Sequence, residues 1–333
     1  MKKLLIIHNK YRNLGGEDIA VENEVNFLSR HYDVRTLFLD NNVQNYYKQA
    51  IFFILNKNIE VNSMVEDEIL DYKPDIIYVH NTWFKASAGI FKIIEKSGIK
   101  TVIKLHNFRF NCAGYYLQKS HLDSKNQCNA CGQTKKYKFA FNKYFPESYL
   151  KSILVIYYNK KYITYLKKDI FKIVVLTDFQ KKFLKEKGYR KENIYILPNP
   201  LTKNNKDDTE KEDYILYAGR ISNEKGIEEL IGAFKKRDNR NLVLKIIGNG
   251  PLLSKLKAKY EDKSIYFLGE ISNLEVIKHI SKSQAVVSAT KLFEGQPTLL
   301  CEASYLRINS IFPKTGGIQE FLPIDYEYLF EQF

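Results

Sequence analysis

Short apolar runs, each followed by a polar or glycine turn and then by helical spacing, recur along this chain. Leu4-Leu5-Ile6-Ile7 is the first, an unbroken apolar run that suits a strand covered on both faces. Val34–Leu39, Ile76–Val79 and Thr101–Ile103 repeat the type. Between them Val21, Val25 and Leu28 fall at helical spacing, and Ile90–Lys96 reads as a helix. Strands alternating with helices predict a parallel sheet with helices on both faces. Ile173–Leu176, a helix over Phe179–Lys187 capped by Thr177-Asp178, and Ile194–Leu197 continue the series until Pro198-Asn199-Pro200 breaks it. Thr202 to Asp213 is polar and without period, the best domain boundary in the chain. This predicts domains over 1–200 and 201–333.

A second strand–helix series follows. Ile215–Ala218 is a strand, Gly219–Gly226 a loop, and Ile227, Leu230, Ile231 and Phe234 form a helix stripe. Val243–Ile247 runs into the tight turn Gly248-Asn249-Gly250-Pro251, and Ile265–Gly269 precedes a helix starting near Asn273. Ala285–Ser288 is the next strand. The stretch Leu292 to Glu302 then passes from loop into helix, with Leu299, Leu300, Ala303 and Leu306 on its apolar face. Pro297 fits the first helical position, where its missing N–H is not needed. Ser310–Phe312 is a last strand and Gly316-Gly317 a last turn.

Composition narrows the class. A chain of 333 residues exceeds one typical core, and 44% hydrophobic with 27% charged residues describes a soluble globular protein. No stretch is long enough to span a bilayer, and the amino-terminal apolar run is too short for a signal peptide. Four cysteines make no disulfide framework, which favours a reducing, cytoplasmic setting. The net charge of +14 is local: Lys+Arg against Asp+Glu is 13 to 13 over 1–100, 20 to 6 over 101–200 and 19 to 19 over 201–333. A basic middle third implies an anionic partner. Within it, Tyr149 to Leu166 interleaves tyrosines with Lys151, Lys160 and Lys161, with Ser148 as a candidate cap. Such a helix can be core on one face and membrane-interfacial on the other, making the protein peripheral to an anionic membrane. Basic and aromatic residues also serve single-stranded nucleic acid, but no nucleic-acid motif is present, so none is expected as partner.

In parallel sheets, ligands sit at the carboxyl ends of strands. There the first half places Gly15-Gly16, whose amides can approach a phosphate at a helix start, and His80 and His106, which as neutral donors can bond a sugar hydroxyl or leaving oxygen. The second half places Arg220 and Lys225 between a strand end and a helix start, a cationic seat for a diphosphate. Glu294 and Glu302 flank a helix amino terminus with Gly295 and Gln296 between them, so two carboxylates and backbone amides can hold a polyhydroxylated ligand. Cys128-Asn129-Ala130-Cys131, with Cys112 and His121, allows either a Cys₃His zinc site or reduced thiols.

Taken in order, Tyr217–Arg220 with Lys225-Gly226, Ile247–Pro251, Phe267–Gly269, Glu294 to Glu302 and Gly316–Glu320 closely resemble the retaining GT-B glycosyltransferases of family 4. Gly15–Glu17, Val79–Asn81, Leu105–Arg109, Cys112 and the C-x-x-C resemble members from bacterial capsule and surface-polysaccharide clusters. The resemblance implies an α/β GT-B fold, two Rossmann-like doubly wound domains facing a cleft. It implies a nucleotide-sugar donor, UDP-linked in preference, and a polyprenyl-pyrophosphate-linked glycan or oligosaccharide acceptor. By position, Arg220 and Lys225 would neutralise the donor diphosphate, Glu302 would bind the ribose, and Glu294 the sugar, aided by Gly295, Gln296, Pro297 and Thr298. Asn249 would join the donor contacts, Gly15 and Gly16 would approach the phosphates, and His106 would contact the sugar near its anomeric carbon. His80, Asn107 and Arg109 are acceptor-side candidates. No metal or cofactor is expected. Family members usually continue past Gly-Gly-Ile with further helices, which makes a shortened second domain the expectation here. A GT-B epimerase and a non-catalytic membrane- or nucleic-acid-binding protein are the alternatives.

Overall fold

The amino-terminal apolar run becomes β1 (Lys3–Lys10), whose residues Leu5, Ile6 and Ile7 are fully buried. In this computed structural model, residues 1–11, 15–42, 45–110, 148–201, 210–239 and 241–331 are described. Cys112, His121, Cys128 and Cys131, the zinc candidates, lie outside them. The described residues up to Pro200 form one unit and those from Leu201 a second.

In the first unit β1 is joined by β2 (Asp33–Asp40), β3 (Ile76–Val79), β4 (Lys100–Leu105), β5 (Phe171–Val175) and β6 (Ile194–Ile196). All pairs are parallel, in the order β2-β1-β3-β4-β5-β6, with Leu4 beside Ile76 and Ile7 beside Val79. Between the strands run α1 (Gly16–Leu28), α2 (Tyr46–Ile54), α3 (Ile59–Tyr72), α4 (Ile90–Ser97), α5 (Tyr149–Leu166) and α6 (Asp178–Glu186). Asn45, Asn58 and Thr177 cap α2, α3 and α6 by accepting from the N–H groups of Lys48, Val61 and Gln180. Val155, Ile156, Tyr158 and Tyr162 of α5 are buried, whereas Tyr149, Leu150, Ile153 and Tyr157 are exposed.

The second unit holds β7 (Tyr214–Ala218), β8 (Val243–Ile247), β9 (Ile265–Gly269), β10 (Ala285–Val287), β11 (Asn309–Pro313) and β12 (Leu329–Phe330). Its order is β12-β11-β10-β7-β8-β9, again all parallel. Helices α7 (Ile227–Lys235) and α8 (Leu253–Tyr260) cover one face over Ile231, Phe234, Leu244 and Leu256. Helices α9 (Asn273–Lys282) and α10 (Thr298–Tyr305) cover the other over Leu216, Ile280, Leu300 and Ala303. Read from β9, this is the Rossmann order, with the chain reversing direction across the sheet between β7 and β10. One local expectation is corrected: Pro297 is the N-cap of α10, not its first residue. Its ψ of 116° is extended, while its carbonyl already accepts the Cys301 N–H. Strand β12, two residues long, gave no apolar pattern to read.

Candidate functional site

The loops leaving β7, β8, β10 and β11 are sewn together at glycines, because their backbones pass too close for a side chain. A Cβ on Gly248 would lie 2.0 Å from the Gly219 carbonyl oxygen, and one on Gly250 2.3 Å from that of Ile221. A Cβ on Gly226 would lie 2.0 Å from the Ala289 carbonyl, and one on Gly316 2.3 Å from that of Glu294. Gly226 and Gly316 also hold φ of 64° and 59°, the left-handed region open to glycine. Backbone bonds complete the stitching: Lys291 N–H to the Glu224 carbonyl at 2.9 Å, and Gly317 N–H to that of Glu294 at 2.8 Å. The buried Tyr217 hydroxyl donates to the Arg220 carbonyl at 2.8 Å and holds that turn down.

At the reversal between β7 and β10, the Lys225 ammonium lies 2.5 Å from Glu294 Oε1, and the same oxygen accepts the Thr290 hydroxyl at 2.8 Å. Both charged side chains are about a quarter exposed, at 28% and 21%. Arg220 is exposed, and its guanidinium has no hydrogen-bond or ion-pair partner among the described residues. Gly295 is buried beneath the loop, and the Gln296 side chain bonds the Cys301 thiol, whose pKa burial pushes up to about 11. Glu302, on α10, accepts from Asn273 Nδ2 at 3.2 Å, and burial raises its carboxyl above the usual range. Asn249 accepts the Gly250 N–H at 2.7 Å and reaches Glu270 at 3.4 Å. Lys225 and Glu294 therefore meet, whereas Glu302 and Asn249 bond to other partners on the same carboxyl edge of the sheet.

Residues 200–331 match the Glycosyl transferases group 1 family. The amylovoran biosynthesis glycosyltransferase AmsD of Erwinia amylovora is 28% identical over 152 residues, a stretch spanning 42% of this chain and 42% of that protein. The match thus covers less than half the length of this curated relative. Among solved structures, the lipopolysaccharide outer core galactosyltransferase WaaB superposes with a TM-score of 0.61 at 17% identity, covering 99% of this chain and 86% of that one. HepE of Anabaena, solved with UDP and glucose, gives 0.64 at 12% identity over 100% and 86%. WaaG, a glycosyltransferase involved in lipopolysaccharide biosynthesis, gives 0.62 at 13% over 96% and 83%. At these identities the likeness is one of fold, and the fold is GT-B.

The carboxyl edge of the first unit carries a second polar cluster, ahead of the group 1 segment. His8 Nε2 and Asp18 Oδ1 are 2.9 Å apart, both side chains fully buried. Asp18 also accepts the N–H groups of Tyr11, at 3.2 Å, and Gly15, at 2.9 Å. The Gly15 amide thus already has a partner in Asp18, and its φ of −125° is one that any residue adopts. Gly16 is exposed as the first residue of α1. Glu17 accepts from the Tyr11 hydroxyl at 2.9 Å and Asn107 Nδ2 at 3.0 Å, and Arg109 donates to that hydroxyl at 3.0 Å. Burial, more than any neighbour, raises the Glu17 carboxyl.

His80 Nδ1 and His106 Nε2 are 2.9 Å apart, with the rings stacked at 5.2 Å. His80 is buried, at 2% exposure, with its Nδ1 against His106. The outer nitrogens, His80 Nε2 and His106 Nδ1, are buried without a partner among the described residues. In the neutral pair one inner nitrogen donates to the other, so one outer atom is a bare donor and the other a bare acceptor, whichever tautomers are present. Burial, with the nearby Lys104 charge adding to it, drives both histidines well below their ordinary pKa. Lys104 is itself sealed from solvent, 2.8 Å from Glu24, whose other oxygen accepts the Tyr78 hydroxyl at 2.8 Å.

Sequence reasoning passed over His8, Tyr11, Asp18, Lys104, Glu24 and Thr290. A lysine inside the apolar run Thr101–Leu105 was a signal, since a buried cation demands a buried carboxylate. Asp18, three residues after Gly15, was a cap signal. Among the described residues no group of three His, Cys, Asp or Glu side chains is placed to hold a metal, and no helix is long and apolar enough to cross a membrane.

Proposed function

We propose that the protein is a retaining glycosyltransferase of the hexosyl type. It moves a sugar from a nucleotide-sugar donor, UDP-linked in preference, to a lipid-linked or oligosaccharide acceptor in surface-polysaccharide assembly. The observation that carries the reading is the Lys225–Glu294 pair at the reversal point of a Rossmann-ordered sheet, inside the group 1 segment. A cation and a carboxylate side by side match a ligand that carries phosphates next to hydroxyls. HepE was solved with UDP and glucose, and AmsD is named for amylovoran biosynthesis, which supports the donor class and the pathway.

In this reading Arg220 and Lys225 stabilise the charge that develops on the departing nucleoside diphosphate, so no metal is needed. Glu294 binds the sugar and Glu302 the ribose, with Asn249 and residues 295–298 completing the donor contacts. Gly16 brings its amide toward the phosphates. His106, kept neutral and paired with His80, contacts the sugar near its reacting carbon. Asn107 and Arg109, fixed on Glu17 and Tyr11, serve the acceptor. The exposed face of α5, Tyr149, Leu150, Ile153 and Tyr157 with Lys160 and Lys161, is a peripheral anchor for an anionic membrane at its cytoplasmic side.

Calorimetry with UDP, GDP, UDP-glucose and GDP-glucose tests the donor site, with transfer to isolated membrane lipid extracts as the activity readout. Lys225→Ala and Arg220→Ala weaken nucleotide binding at least about tenfold, the scale of a charge-assisted phosphate contact. Nucleotide binding that both substitutions leave unchanged refutes the reading. Release of an altered free sugar without acceptor identifies an epimerase instead.

A further inference from the structure

Resting on the donor-site reading above, we infer that Glu294 discriminates between the intact donor and its spent diphosphate. It neutralises Lys225 in the free protein and yields it fully only to a ligand that brings hydroxyls as well as phosphates. One oxygen, Glu294 Oε1, accepts from both Lys225, at 2.5 Å, and Thr290, at 2.8 Å. The cation that a diphosphate needs is therefore already engaged.

The carboxylate cannot withdraw with its loop. The Glu294 carbonyl accepts the Gly317 N–H at 2.8 Å, and Gly316 packs so tightly that a Cβ there would fall 2.3 Å from that carbonyl and 2.7 Å from the Glu294 nitrogen. The backbone is held, and the side chain can rotate but not leave. An anion arriving at Lys225 meets a fixed negative charge within a few ångströms, in a place where solvent reaches only about a quarter of either side chain. Screening by water and salt is reduced there.

The two ligands differ in what they return. A nucleoside diphosphate takes the ammonium and leaves Glu294 with the Thr290 hydroxyl and a like charge beside it, which lowers affinity. A nucleotide sugar takes the same ammonium but donates sugar hydroxyls to the carboxylate, replacing the N–H it surrendered. The intact donor is thereby favoured over the product, and the product is released once the sugar has gone. No step here forms or breaks a covalent bond.

The test is calorimetry of UDP and UDP-glucose, repeated with GDP and GDP-glucose, against the full chain and its E294Q, T290V and K225A variants. Gln is nearly isosteric and keeps an acceptor for Thr290 but carries no charge. With E294Q, diphosphate affinity rises about fivefold, the lower range of site-to-site couplings, while affinity for the sugar nucleotide falls. T290V loosens the carboxylate and moves diphosphate affinity in the same direction by less. Unchanged or weaker diphosphate binding by E294Q, with K225A still weakening it, overturns the discriminator and leaves the donor site standing. Diphosphate binding indifferent to K225A instead overturns the donor site itself.

Discussion

Acidification should unfold the first unit through His80 and His106. His80 is buried, His106 pairs with it at 2.9 Å, and burial followed by neighbouring positive charge holds both well below the ordinary histidine value of 6.5. A group whose pKa is depressed by folding takes up its proton in the unfolded chain first. Its contribution to stability is present above 6.5 and is lost as pH falls below that value. For each pH unit below 6.5 over which the fold keeps a histidine neutral, that histidine costs up to about 1.4 kcal/mol, and the pair up to about twice that. That is a large fraction of a typical domain's stability. Glu17 and Glu302, whose carboxyls burial raises, work in the opposite direction as they protonate, so a difference measurement is required. Trp83, the single tryptophan, packs on Phe53 and Tyr158 with ring centroids 5.1 and 4.9 Å away and reports the first unit alone. Urea unfolding followed by its fluorescence at pH 7, 6 and 5, for the native chain and for His80→Asn with His106→Asn, isolates the effect. The native chain should lose more stability than the double variant as pH falls below 6.5, by up to about 3 kcal/mol per pH unit. Parallel pH profiles for the two would refute a neutral buried pair.

Glu24→Ala strands Lys104 as an unpaired buried cation and should cost about 3–5 kcal/mol by Trp83-monitored unfolding, whereas Lys104→Met with Glu24→Gln should recover much of it. Gly226→Ala forces a Cβ to within 2.0 Å of the Ala289 carbonyl at a φ of 64°. It should destabilise the second unit by more than about 3 kcal/mol, seen as an early thermal transition in circular dichroism. Glu302→Ala should weaken UDP about tenfold and leave inorganic pyrophosphate unaffected, since a ribose contact acts on the nucleoside alone. His106→Ala should lower kcat by about 10²–10⁴ with little change in KM for the donor, measured by sugar transfer.

The strands were legible because those buried on both faces must be apolar throughout: Ile76–Val79 and Ala285–Val287 fall where their apolar runs do. Helices α2 and α3 were not, because α3 alternates acids with sparse apolar residues and α2 leaves Tyr47 and Ile51 exposed, so neither gives a clean stripe. Arg220, Lys225 and the two glutamates were recognisable as an ordered set. What spacing could not give was pairing. Glu294 turns to Lys225 and Glu302 to Asn273, and that depends on how loops from separate strands cross. The Lys104–Glu24 pair joins residues 80 positions apart and follows from the sheet order, not from any local pattern.

The glycine crossings among the second unit's loops bear on how a small molecule could be fitted there. Where backbone rests directly on backbone at Gly226, Gly248, Gly250 and Gly316, the rim has little slack to reshape itself around a guest. Adaptation is left to rotatable termini such as those of Lys225 and Arg220. An inhibitor built as a rigid anion with correctly spaced hydroxyl mimics would therefore forfeit little to receptor rearrangement, and resistance would have to arise at side chains instead of through loop remodelling.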